Sequence, residues 1–303
     1  MKRMLWMTTL LVTLVAARAG AQTTVNETRP APLHGIVSIR NVSGFVHVTG
    51  WTRKEVQVKG TLGPKVERLE FDQDGDRTRI EVEIPDHDDD HGWNHDLKGK
   101  DIEANLEISV PQGSAIRVDG VNVEVRVANV DGDLELATVN GGVNVSGQPE
   151  EVRVTTVNGA IALNTGSKST RLEAVNGSIE VNGGKGELEA SCVNGRIEVL
   201  DGNFDEATCS TVSGDTFWRA GLDSRGSLNL ETHSGTITLE LPRSTSAEFN
   251  VTTFSGNITN ALGPAARRTG EYGPGYQLNF ELGSGSASID ISSFSGDVNI
   301  KSK

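Results

Sequence analysis

Half of the protein's six histidines fall within nine residues, in the segment Pro-Asp-His-Asp-Asp-Asp-His-Gly-Trp-Asn-His-Asp at 85–96. His87, His91 and His95 stand there among Asp86, Asp88, Asp89, Asp90 and Asp96. Neutral imidazole suits zinc, copper or nickel, and clustered carboxylates suit calcium. The spacing matches no structural zinc signature, and the fixed glycine of a calcium loop is missing. Composition alone therefore raises a divalent metal, and no other cofactor, against the plainer reading of a solvated loop joining two strands.

A second constellation lies on the repeats described below. Glu173, Glu180, Glu189 and Glu198 fall on outward strand positions of neighbouring units, with Arg171 and Arg196 between them. Paired carboxylates on such a face could cut polysaccharides, but general acid–base work needs two acids in distinct environments within a cleft. A ladder of mixed sign is more simply a solvated, ion-paired surface. The third candidate is aromatic. Trp218 occupies an inward position and Phe217 an outward one, where a ring could mark a binding surface or pack beneath a neighbouring loop. The connection at 262–277, with Arg267, Arg268, Tyr272 and Tyr276, is the expected cover. No nucleophile elbow, phosphate loop or Cys/His pair occurs, so no catalytic residue is assigned. Cys192 and Cys209 are expected as free buried thiols, because an offset of one unit and two residues places them beyond disulfide reach.

The elements that carry these residues announce themselves by repetition. A corner recurs as Thr138-Val-Asn-Gly141, Thr156-Val-Asn-Gly159, Ala174-Val-Asn-Gly177 and Cys192-Val-Asn-Gly195. It continues through Gly214, Gly235, Gly256 and Gly296 with Ser in place of Asn, at glycine spacings of 18, 18, 18, 19, 21, 21 and 40. The last interval reads as two units, one without its corner, and Asn41-Val-Ser-Gly44 has the same form. Aliphatic residues stand two and four positions after the glycine and five before it, with small or polar residues between. Such alternation predicts half-buried strands and an all-β fold.

Two architectures fit. In a β-solenoid each unit of roughly 18–21 residues is one coil, and the corners stack in columns. In a stacked β-hairpin array each Asn-Gly is a two-residue turn. The solenoid is preferred because Asn140, Asn158, Asn176 and Asn194 could then form an amide ladder beside Gly141, Gly159, Gly177 and Gly195. The Val, His or Phe preceding the Asn or Ser is read as filling a buried corner. Eight to ten coils at about 4.8 Å predict a rod on the order of 40–50 Å long.

The chain divides into three parts. Residues 1–21 carry Lys2 and Arg3, an apolar run and a small-x-small site at Ala19-Gly20-Ala21, the pattern of a Sec-type signal peptide. Residues 22–112 form an N-terminal β region with the first coil and the acidic His-rich loop, expected to cap the stack. Residues 113–303 form the repeat region, and the charged end at 300–303 is expected to discourage end-to-end stacking. The location implied is periplasm, cell surface or medium, and no second apolar run predicts a transmembrane span. The net charge of −13 becomes −16 once the signal is removed, which disfavours nucleic acid as a partner. Glycine is unusually frequent at 35 residues, as a fold of many corners requires.

The sequence resembles the bacterial putative-adhesin family of domains of unknown function, related to toastrack domains. The resemblance rests on Val46-His-Val-Thr-Gly-Trp51, Glu55-Val-Gln-Val58, Leu106-Glu-Ile-Ser-Val-Pro111 and the closing run from Gly283 to Ile300. It implies a right-handed, β-helix-like stack without known catalytic residues, tied to the bacterial envelope and in some members to envelope stress. The expected function is an exported, non-catalytic, adhesin-like binding or scaffold protein, its partner an envelope protein or a surface glycan. A polysaccharide-active β-helix enzyme and a metal-responsive envelope sensor are the alternatives. Oligomeric state is left open.

Overall fold

The computed structural model describes residues 22–85, 99–270 and 274–303. Apart from the single 3-10 turn Gly99–Asp101, the regular structure of the described residues is all β. Among them no helix is long and apolar enough to cross a membrane.

The repeat units pair in parallel, each against the next. Strands Leu134–Asn140, Glu151–Asn158 and Ser169–Asn176 run side by side before the corner, so that Val154 faces Leu136 on one side and Leu172 on the other. After the corner, Ile161 faces Val143 and Ile179 in the same way. In these layers every partner is thus one unit away in sequence. A hairpin array would instead pair residues across each glycine, and no such pairing is present among the described residues.

The alternation places one side of every strand in a continuous core. Val152, Val154, Leu172, Ile179, Ile197, Leu228, Leu230 and Ile237 are all fully buried. Burial of this kind is the main driving force of such a stack, at roughly 1.5–3 kcal/mol per aliphatic side chain. The Asn ladder is also present. Asn140 donates to Asn122 at 2.7 Å, Asn158 to Asn140 at 2.8 Å, Asn176 to Asn158 at 2.9 Å and Asn194 to Asn176 at 2.9 Å. Asn122 extends it by a rung that glycine spacing does not reveal, because its unit carries Val123 where the others have glycine.

The C-terminal end departs from sequence order. The last layer, made of Ala287–Ser295 and Val298–Ser302, lies between the layer of Gly221–Ser234 and Ile237–Leu241 and the layer of Ala247–Ser255 and Ile258–Asn260. The 40-residue interval therefore contains no lost corner. It contains the strand Tyr276–Leu282, which pairs antiparallel with Ala247–Ser255 and covers the end of the stack. The charged residues 301–303 do not serve as the cap, since Val298–Ser302 is itself an interior layer.

The N-terminal end is built similarly. Ile36–Trp51 lies between Ala115–Val130 on one side and Arg77–Glu83 with Ala104–Pro111 on the other. Antiparallel strands Arg68–Asp74, Glu55–Leu62 and Thr23–Pro30 finish that end.

Candidate functional site: an apolar row along the corner

The Val, His or Phe of each corner does not fill the core, contrary to expectation. Val121, Val139, Val157, Val175, Val193, Val212, Phe294 and Phe254 are all solvent-exposed, between 37% at Val157 and 58% at Phe254. The cause is the strand period itself. Leu136 and Thr138 face inward, so Val139, one position on, must face outward. The row continues from layer to layer because Asn122, Asn140, Asn158, Asn176 and Asn194 are held in register beside it. Among the described residues the row is a contiguous exposed apolar strip, which a solvated outer face does not require.

In every layer but those of Gly120 and Ala174, the residue below the row, between it and the core, is a hydroxyl or thiol turned to the backbone. Thr138 Oγ1 donates to Val123 O at 3.1 Å, Thr156 Oγ1 to Gly141 O at 3.4 Å and Cys192 Sγ to Gly177 O at 3.1 Å. Thr253 Oγ1 and Ser293 Oγ donate to Gly256 O and Gly296 O at 3.0 Å and 3.2 Å. These donors are therefore satisfied within the protein.

At the C-terminal end the row becomes aromatic. His233, Phe294 and Phe254 occupy successive layers with ring centroids 4.7 Å and 4.8 Å apart and ring planes within 4° and 6° of parallel. Beside this column lies an open trough of about 950 Å³, lined by Val193, Val212, His233, Phe294 and Phe254 and, from the connection, by Thr269, Pro274 and Gly275. A smaller hollow of about 440 Å³ lies against Val121, Val139 and Val157 at the other end of the row.

The remaining candidates are placed as follows. His87, His91, His95, Asp86, Asp88, Asp89, Asp90 and Asp96 lie outside the described residues, as does Tyr272. Trp218 is fully buried, 5.6 Å from Phe204, and its indole N–H donates to Ala220 O at 2.9 Å. A ring with no exposed surface cannot form part of a binding face, which corrects its assignment to one. Phe217 is half-buried on the outer side of the strand after the corner, with the Arg219 guanidinium 5.9 Å from its ring. Arg267 and Arg268 are exposed and pair with Gln277 and Tyr276, next to the strand before the corner. The described part of the connection, at 267–269 and 274–276, thus flanks the aromatic column, beside the strand before the corner and away from Phe217.

Three of the four ladder carboxylates are ion-paired; Glu180 is in no ion pair among the described residues. Arg171 meets Glu173 at 2.9 Å and Glu189 at 2.5 Å, and Arg196 meets Glu198 at 3.0 Å, all at the surface. The cysteines are free thiols, both buried. Burial pushes the Cys209 thiol up to about 12, and burial also raises that of Cys192, whose hydrogen bonds to Gly177 and Asn194 partly oppose the shift. Neither is disposed to act as a thiolate nucleophile at neutral pH.

These features define an all-β protein of stacked parallel units that presents a long apolar edge to solvent. Its sequence matches the profile of the Toastrack DUF4097 family over residues 51–301, and the chain belongs to that family. Among solved structures it is similar to a putative adhesin from Parabacteroides merdae, at 11% identity over 93% of this chain and 96% of that one, with a TM-score of 0.51. A putative adhesin from Bacteroides fragilis is 14% identical over 93% and 97% of the two chains, with a TM-score of 0.41. No curated protein matches the sequence.

Proposed function

We propose that the chain is a right-handed β-solenoid, exported through a Sec-type signal at residues 1–21, that works as a non-catalytic, adhesin-like binding scaffold at the bacterial envelope. The observation that carries this reading is the apolar row from Val121 to Phe254. Eight exposed Val and Phe side chains are fixed in one line by the strand register and the Asn ladder, so the row is a rigid, pre-organised surface whose binding incurs little ordering cost. The family's connection with the envelope supplies the setting.

The test is cosedimentation of the purified chain with isolated bacterial envelopes. Val139→Asp, Val157→Asp and Val175→Asp, combined in one variant, place charge on the row without entering the core. Binding that falls at least tenfold, with an unchanged circular dichroism spectrum, supports the reading. Equal binding by the folded variant sinks it.

A further inference from the structure

Resting on that reading of the row as a binding face, we propose that its aromatic end is a site for a single acyl chain bearing an anionic head. The trough beside His233, Phe294 and Phe254 measures about 950 Å³, the upper part of the ~300–1,000 Å³ range of small-molecule sites. Its chemistry selects among occupants.

A sugar needs hydrogen-bond partners and the open face of an aromatic ring. The rings of His233, Phe294 and Phe254 stack on one another nearly parallel, so the row offers mainly their edges. The hydroxyls of Thr211, Thr232, Thr253 and Ser293 beneath the row are spent on Gly195 O, Gly214 O, Gly256 O and Gly296 O, so the polar groups left to the trough, Ser191, Ser210, Glu231, Thr252 and Ser292, stand beside the row and not along it. A peptide strand would need an open sheet edge, but the strands here are paired on both sides within the stack. A second copy of the chain would approach with a broad sheet face, which the connection residues Thr269, Pro274 and Gly275 beside the row would obstruct.

What the trough offers is a line of methyl groups and ring edges, from Val193 and Val212 to Phe254, repeating at about the 4.8 Å strand spacing. That surface suits an extended hydrocarbon chain, which asks for no hydrogen bonds along its length. Ser191, Ser210, Glu231 and Ser292, two positions before the row residues on the same strand face, also line the trough, with Glu231 accepting from the Asn229 amide at 3.0 Å. A positive charge stands on the strand that leads into the lining residue Thr269. Arg267 precedes Thr269 by two residues on the same face of its strand, is exposed, lies just outside the lining of the trough and makes no ion pair among the described residues. Many other arginines of this acidic protein, including Arg29, Arg68, Arg79, Arg117, Arg126, Arg171 and Arg196, are paired with carboxylates. The adjacent Arg268 packs over Tyr276, its guanidinium 5.7 Å from the ring. The geometry therefore places the chain along the row and the head at Arg267.

The experiment titrates the purified chain with dodecanoate and with dodecanol, each below its aggregation limit, by displacement of a fluorescent fatty acid. Saturable binding of one molecule per chain is expected. Val193→Glu combined with Val212→Glu should weaken both ligands at least tenfold, whereas Thr259→Glu, on the strand after the corner, should leave both unchanged. Arg267→Ala should weaken dodecanoate several-fold and spare dodecanol. Absence of saturable binding, or row variants that bind like the parent, overturns the proposal. So does binding to anionic vesicles without binding of the monomeric ligand, or a dimer that the row variants dissociate. If acyl binding fails while envelope binding still depends on the row, the proposed function stands and this inference alone falls.

Discussion

At the scale of single residues the corner is governed by space. A Cβ on Gly177 would sit 1.9 Å from Gly159 O in the neighbouring layer, and one on Gly159 would sit 1.9 Å from Gly141 O. The column of glycines is a column of backbone contacts, each too close for any side chain. Gly142, adjacent to the same corner, would bring its Cβ no nearer than 3.5 Å to Ala160 O. Gly177→Ala should therefore cost about 3 kcal/mol by overpacking, and Gly142→Ala within about 0.5 kcal/mol of nothing. Urea denaturation of the two variants reads the difference directly, and equal midpoints would show that the column does not limit the corner. The glycines were legible in the sequence as a period. Their reason was not, because close approach between layers depends on which strands are neighbours. The exposed valines were misread for a different cause. Alternation from Leu136 through Thr138 already placed Val139 outside, yet its apolar character suggested the core. Period is the firmer guide, since the pleat fixes direction whatever the side chain.

At the scale of elements, the strands, the parallel stacking and the Asn ladder were legible from alternation and corner spacing. The order of layers at the C-terminal end was not. Any unit with a corner and the shared inward aliphatics can pair with any other, so nothing in the spacing says that the last layer lies inside the next-to-last. The antiparallel strand Tyr276–Leu282 caps Ala247–Ser255, and Ala287–Ser295 then returns to pair on both sides, with Gly221–Ser234 and with Ala247–Ser255. This arrangement makes the final residues a keystone. Deleting residues 287–303 should leave the layer at 247–260 and its cap without a partner, and should expose the core face of the layer at 227–241. The truncated chain is expected to bind a hydrophobic dye and to melt well below the parent. If the layers were instead stacked in sequence order, the same deletion would remove one terminal layer and leave the 247–260 layer still paired with its predecessor. Protection of amides 247–255 from hydrogen exchange in the truncated chain would support that simpler order and exclude the keystone.

At the scale of the whole molecule, stability is distributed along one axis. Each layer touches its neighbours through hydrogen bonds and core contacts, so the free energy is approximately a sum over layers and the interfaces between them. Both ends are closed by antiparallel strands, and the least replaceable interfaces are therefore internal. Gly177→Val, placing a branched side chain against Gly159 O, should break coupling at the middle of the stack. The expected result is local loss of order with both flanks retained, not uniform weakening. Hydrogen exchange should show amides of Ser169–Asn176 and Ile179–Asn194 exchanging fastest, while Ile36–Trp51 and Ala287–Ser295 keep their protection. Uniform acceleration along the chain would mean that the stack unfolds as a single unit despite its linear contacts. The outcome also bears on binding, because the apolar row is straight only while successive layers stay in register. A break at Gly177 would separate the hollow at Val121, Val139 and Val157 from the aromatic trough, and an occupant confined to the trough should then bind the variant as it binds the parent.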